Sequence, residues 1–263
     1  MGLCASTPTK SRYVSPFDVR VTSALQAFKA RIDAANLPRS ERVCSFNHVL
    51  LRAGRIRAAL DHVKAVFSTY DVDHSDSIDR GELTEALKVL GSEVSPEDTE
   101  KVFHQSDMYD NNKLSLKEFV VCLMLGYVLG HLQLSGVAED SGAAPAANNE
   151  ASIEASKEGD DDDDAFQGHA EELRWAFNNI IGAYLLFDVD ASGDLSRDEV
   201  LKQLQAKTGV FADAAAQNLM TEERWKELDW DDDGQISFRE FIWAFQSWIS
   251  VDGEGGDGTS NNN

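Results

Sequence analysis

The stretch DWDDDGQISFRE, Asp229 to Glu240, opens and closes on an acid and carries a single glycine, Gly234, at its sixth position. Three other stretches align with it without gaps: DVDHSDSIDRGE (Asp71 to Glu82), DMYDNNKLSLKE (Asp107 to Glu118) and DVDASGDLSRDE (Asp188 to Glu199). Each begins with Asp, has Ile or Leu at the eighth position and ends with Glu at the twelfth. Internal repetition of this kind governs how the rest of the chain is read. The starts are 36, 81 and 41 residues apart, so the four stretches form two pairs.

Apolar residues at helical spacing flank the repeats. Leu173, Phe177, Ile180, Ile181, Tyr184 and Phe187 lead into the third, and Phe238, Phe241, Ile242, Phe245 and Ile249 lead out of the fourth. The first pair has Val63, Val66 and Phe67 before its loop and Leu83, Leu87 and Leu90 after it. The expected fold is all-α, with two lobes, each made of two helix-loop-helix units paired by short antiparallel β-strands, joined by a flexible acidic linker. The lobes are placed at residues 57–135 and 169–250. A flexible tail (1–17) and a helical N-terminal extension (18–56) precede them, and a Gly-rich disordered tail (251–263) follows. Residues 136–168, with five consecutive aspartates from Asp160 to Asp164, hold too few apolar side chains to offset the entropy of ordering, and read as the linker.

Lys and Arg total 24 and Asp and Glu 46, a net charge of -22, which argues against nucleic acid as a partner. The charge is uneven. Residues 1–64 hold eleven basic and four acidic residues, a surplus of seven positive charges, which leaves -29 for the remainder. One end therefore suits an anionic membrane surface and the body does not. Within the extension, Val21, Leu25, Phe28 and Ile32 form an apolar stripe beside Lys29 and Arg31, readable as a helix packed on the first lobe or as a basic amphipathic helix on a membrane. The run Phe119 to Leu134 is sixteen residues without a formal charge, short of the about 20 a span needs, and reads as a helix buried by its own domain or by a partner. Three cysteines, Cys4, Cys44 and Cys122, offer no paired spacing, which fits a reducing, intracellular setting, with Cys44 and Cys122 in the core. No secretory signal is expected at the N-terminus. The six histidines show no metal-ligand spacing. An enzyme is not expected, since no phosphate loop, kinase signature or nucleophile-base set accompanies the repeats.

A twelve-residue loop can wrap a calcium ion when positions one, three, five and nine supply oxygens, position seven a backbone carbonyl and position twelve a bidentate glutamate, with a sharp turn at six. In the fourth loop those places hold Asp229, Asp231, Asp233, Ser237, Gln235 and Glu240; in the third, Asp188, Asp190, Ser192, Ser196, Asp194 and Glu199, with Gly193 at the turn. The first loop offers Asp71, Asp73, Ser75, Asp79, the Ser77 carbonyl and Glu82, but has Asp76 at the turn, which tolerates the left-handed conformation at roughly 1 kcal/mol. The second has Tyr109 at position three; Asp107, Asn111, Ser115, Glu118 and the Lys113 carbonyl remain, with Asn112 at the turn. It reads as a weak or non-binding loop that pairs Leu114 with Ile78. The expected cofactor is calcium, about three ions.

On these motifs the chain resembles the EF-hand proteins of the calmodulin superfamily over residues 57–250. The segments FSTYDVDHSDSIDRGEL, EFVVCLMLGYVL and ELDWDDDGQISFREFIWAF look like those of a plant-type calmodulin-like protein. The opening MGLCAS fits the N-myristoylation pattern at Gly2, and Cys4 could take palmitate as the second anchor that stable membrane attachment requires. The resemblance and these motifs imply a sensor lipid-anchored to the cytoplasmic face of a membrane, otherwise cytoplasmic. In calcium, a sensor binds a protein target through an exposed hydrophobic groove. A dedicated regulatory subunit resembling calcineurin B, and a calcium buffer, are the alternatives. Four methionines are few for a promiscuous groove.

Overall fold

The computed structural model describes residues 15–34, 49, 51–90, 95–132, 134, 169–208 and 222–249. The expected linker, the C-terminal tail, Gly2, Cys4 and Cys44 lie outside these residues.

Helix α1 spans Pro16–Ala34. Ser15 and Asp18 start it: the Asp18 N–H donates to Ser15 Oγ at 3.1 Å, the Asp18 carboxylate accepts from the Ser15 N–H at 3.0 Å, and Pro16 follows the cap. Four helix-loop-helix units come next. In the first pair α2 (Ala53–Tyr70) and α3 (Arg80–Val89) flank the first loop, and α4 (Pro96–Ser106) and α5 (Leu116–Val128) the second. In the second pair α6 (Ala170–Phe187) and α7 (Arg197–Thr208) flank the third loop, and α8 (Glu222–Leu228) and α9 (Phe238–Trp248) the fourth. Within each pair the loops join back to back. Ile78 and Leu114 exchange two backbone hydrogen bonds of 2.8 Å in the first. Strands β1 (Asp194–Ser196) and β2 (Gln235–Ser237) run antiparallel in the second, with Leu195 opposite Ile236. The eighth-position Ile or Leu is buried in all four loops.

The apolar stripes form the core. Phe119, Phe177, Phe238 and Phe245 are among its largest fully buried side chains. Nine successive residues of α5, Glu118 to Gly126, are buried, because α1, α2, α4 and α9 all pack on this helix. The uncharged run is thus covered by its own chain from Phe119 to Gly126. Among the described residues no helix is long and apolar enough to cross a membrane. Burial pushes the Cys122 thiol up to about 12, consistent with a core residue.

The two lobes lie against each other, an arrangement that the repeats did not foretell. α2 packs on α6 and α5 on α9, while α1 touches both α5 and α6. Arg52 donates to Asn179 Oδ1 at 2.6 Å, Arg57 to the Ile249 carbonyl at 2.7 Å, and the Tyr127 hydroxyl to Asn178 Oδ1 at 2.9 Å. Arg55 lies over the Trp175 ring at 4.1 Å. Helix α1 is therefore packed on both lobes through Val21 and Leu25, where the sequence expectation had given it the first lobe or a membrane.

Candidate metal centres

The four loops share one backbone. The sixth position has positive φ in each, at Asp76 (57°), Asn112 (61°), Gly193 (91°) and Gly234 (88°). The fourth position does too, at His74, Asp110, Ala191 and Asp232, a feature the motif does not announce. The first aspartate holds this turn from inside. Asp71, Asp107, Asp188 and Asp229 each accept the N–H of the fifth residue on one oxygen, at 2.9 to 3.0 Å, and that of the sixth on the other, at 2.7 to 3.2 Å. Asp73 and Asp190 then accept the N–H of Ser75 and Ser192, each at 3.0 Å.

The ninth and twelfth positions open the exit helix. Asp79, Ser115 and Ser237 are N-caps in reciprocal capping boxes with Glu82, Glu118 and Glu240, and Ser196 and Glu199 exchange the same bonds. The second oxygen of the glutamate reaches back to the start of the loop. Glu240 accepts from the Trp230 N–H at 2.8 Å and Glu82 from the Val72 N–H at 3.0 Å. Glu118 does the same with the Met108 and Tyr109 N–H groups, at 2.9 and 3.1 Å. Loop shape and capping therefore survive in the second loop, and the difference lies at position three.

There the structure gathers acids in three loops. One oxygen each of Asp71, Asp73 and Glu82 lies within 4.8 Å of the others, and the same holds for Asp188, Asp190 and Glu199 and for Asp229, Asp231 and Glu240. The serines at position five of the first and third loops turn inward, donating to the position-seven carbonyls of Ser77 (3.1 Å) and Asp194 (2.9 Å). Burial, with neighbouring acids adding to it, raises the carboxyls of Asp188, Asp229 and Glu240 above their ordinary range. The Ser192 hydroxyl holds Asp190 below it. Like charges gathered this way in partly buried sites fit a hard cation with oxygen ligands. Asp71, Asp73, Ser75, Ser77, Asp79 and Glu82 would hold one calcium ion. The corresponding residues of the third and fourth loops, through Asp194, Ser196, Gln235 and Ser237, would hold two more.

The second loop presents Tyr109 instead. Its ring stands edge-on to Trp230 at 5.2 Å and to Trp243 at 5.6 Å, and these two rings are 6.0 Å apart. The missing ligand is an aromatic bridge to the fourth loop and α9. Tryptophan fluorescence therefore reports the contact between lobes as well as the C-terminal lobe, contrary to what the placement of all five tryptophans after residue 168 suggests.

Two further contacts touch the sites. Lys113, at position seven of the second loop, donates to Ser75 Oγ at 3.1 Å, and its ammonium is 4.0 Å from Asp73. Lys29 of α1 donates to the Asp188 and Val189 carbonyls at 3.3 and 2.8 Å, and Gln26 to the Ala191 carbonyl at 2.7 Å. Thr22 packs so closely on Gly193 that a Cβ there would overlap it. Neither contact follows a local pattern.

Four paired loops of this geometry between helices, three with a clustered acidic ligand set, define an EF-hand protein that binds calcium. A family model described as an EF-hand domain pair matches residues 60–121. The chain is similar to the probable calcium-binding protein CML22 of Arabidopsis thaliana, at 26% identity over 79% of each chain. Its similarity to the probable calcium-binding protein CML21 of the same plant is 24%, over 79% of this chain and 77% of that one. Calcium-dependent protein kinase 9 of Oryza sativa is 24% identical over 70% of this chain, but only 24% of the kinase is covered.

Proposed function

We propose that this protein is a calcium sensor that binds about three ions, in the first, third and fourth loops, and regulates a protein target through apolar surface opened by calcium. Acyl groups on Gly2 and Cys4 tether it to the cytoplasmic face of a membrane; the surplus of basic residues in the first 64 positions supports that orientation.

The observation that carries the reading is that Glu240 lies in the first turn of the helix that forms one wall of a narrow apolar cleft. Phe187, Leu195, Val200, Leu228, Ile236, Phe241, Ala244 and Trp248 enclose about 10 Å³, no more than one water needs. Three of these residues lie on α9, the helix whose first turn carries Glu240. Bound calcium supplies the divalent charge that the carboxylates need. Glu240 lies in the first turn of α9, so calcium ligation that shifts Glu240 would also shift the wall of the cleft. Sensors convert such a link into an opened helix pair, and buffers barely open.

An apolar fluorescent dye tests this. Calcium should raise dye binding to the wild type and leave it unchanged in the variant carrying both Glu199→Gln and Glu240→Gln. If calcium leaves the wild type unchanged as well, the chain is a buffer. Intact mass of protein from its native cell decides the acylation. The packing of the lobes and α1 into one body favours a second reading, a dedicated regulatory subunit; its mark is one stoichiometric partner retained in chelator.

A further inference from the structure

Away from the loops, the seam between α2 and α6 brings together three side chains that the sequence keeps far apart. His62 lies on α2, His169 immediately precedes α6 and Glu172 sits in the first turn of α6. One ligand atom from each falls within 4.8 Å of the others. The His62 Nε2 and His169 Nδ1 atoms are 3.5 and 3.7 Å from the same oxygen, Glu172 Oε2.

We propose that His62, His169 and Glu172 form a site for a transition-metal ion of the zinc class, bridging the two lobes. Three observations favour it. The two distances exceed the roughly 2.7–3.2 Å of a hydrogen bond, so the group is not tied together as an ordinary imidazole-carboxylate pair. Two imidazoles and one carboxylate suit a borderline cation rather than calcium or magnesium, which take oxygen ligands. All three side chains are 31% to 52% exposed, so an ion can enter and a water can complete the shell. The histidine rings are stacked, with centroids 3.5 Å apart and planes 14° apart. Parallel rings cannot both aim a lone pair at one ion, so binding turns one ring about its Cβ–Cγ bond, a motion that the exposure leaves free.

Because the ligands come from both lobes, an ion here would hold α2 against α6. The test uses the full chain with calcium in saturating excess, so that the acidic loops are filled, and titrates Zn2+ against a chromophoric zinc indicator. One Zn2+ per chain should bind in the wild type. Affinity should fall at least about tenfold, the least that losing even a supporting group of a metal site costs, in His62→Ala, in His169→Ala and in Glu172→Gln. His104→Ala, on α4, should leave it unchanged. Circular dichroism and the calcium count of each variant show that it remains folded, and three separate substitutions keep the proposal testable if one does not. Zinc binding of equal strength in the wild type and all three variants, or no stoichiometric zinc binding in the wild type, would overturn it.

Discussion

Tyr109 and Asp231 occupy the same third position in loops whose backbones match, and each loop ends in a buried glutamate held by the same kinds of donor. Two carboxylates separate them: Asn111 stands where the fourth loop has Asp233 and keeps an oxygen donor, whereas the Asp231 carboxylate has no counterpart. In the second loop its place is taken by a ring that packs on Trp230 and Trp243, so the position contributes to the seam between lobes. Lys113 extends the effect to its neighbour, because its ammonium lies beside Asp73 and Ser75 of the first loop. An exposed charge pair of this kind is worth about 0–1 kcal/mol, and calcium must compete with it. Replacing Lys113 with Ala is therefore expected to tighten the first site by up to about fivefold and to leave the third and fourth unchanged, as read by calcium titration in low salt.

At the level of elements, the helices and loops were legible in the sequence because their determinants are local. The spacing of Leu173, Phe177, Ile181 and Tyr184 writes out α6, and the Asp and Glu positions write out the loops that follow. The turn role of Asp76 and Asn112 was legible too, since both residues tolerate positive φ. The third loop holds something that was not. Gly193 and Gly234 are equivalent in the motif, yet Gly234 has open space around it and Gly193 is pressed by Thr22 of α1. Gly234→Ala is expected to cost about 1–2 kcal/mol, the strain of a left-handed alanine. Gly193→Ala should cost more, because Thr22 and with it α1 must move. Thr22→Ala should recover part of the loss in the Gly193→Ala background and none in the Gly234→Ala one, as measured by urea unfolding.

On the scale of the whole molecule, the repeats revealed two lobes and were silent on how they sit. The seam is built from residues that periodicity does not assign to a core: Arg52 at the N-cap of α2 and Arg55 and Arg57 on it, meeting Asn179, Trp175 and the Ile249 carbonyl across the interface. Nothing in a helical pattern distinguishes an arginine in water from one over a tryptophan, so the seam, the contact of α1 with the second lobe and the meeting of His62 with His169 all escaped the sequence. The aromatic bridge from Tyr109 also ties the second loop to the fourth, which places the fourth loop in contact with both lobes.

The central claim is that three of four similar loops hold calcium and that the third position decides which. It is tested most directly by calorimetric calcium titration of the wild type and of Glu82→Gln, Glu118→Gln, Glu199→Gln and Glu240→Gln. The expected result is about three ions per chain, with one site lost or strongly weakened in each variant except Glu118→Gln, which should match the wild type. Four sites in the wild type, with one removed by Glu118→Gln, would contradict the account.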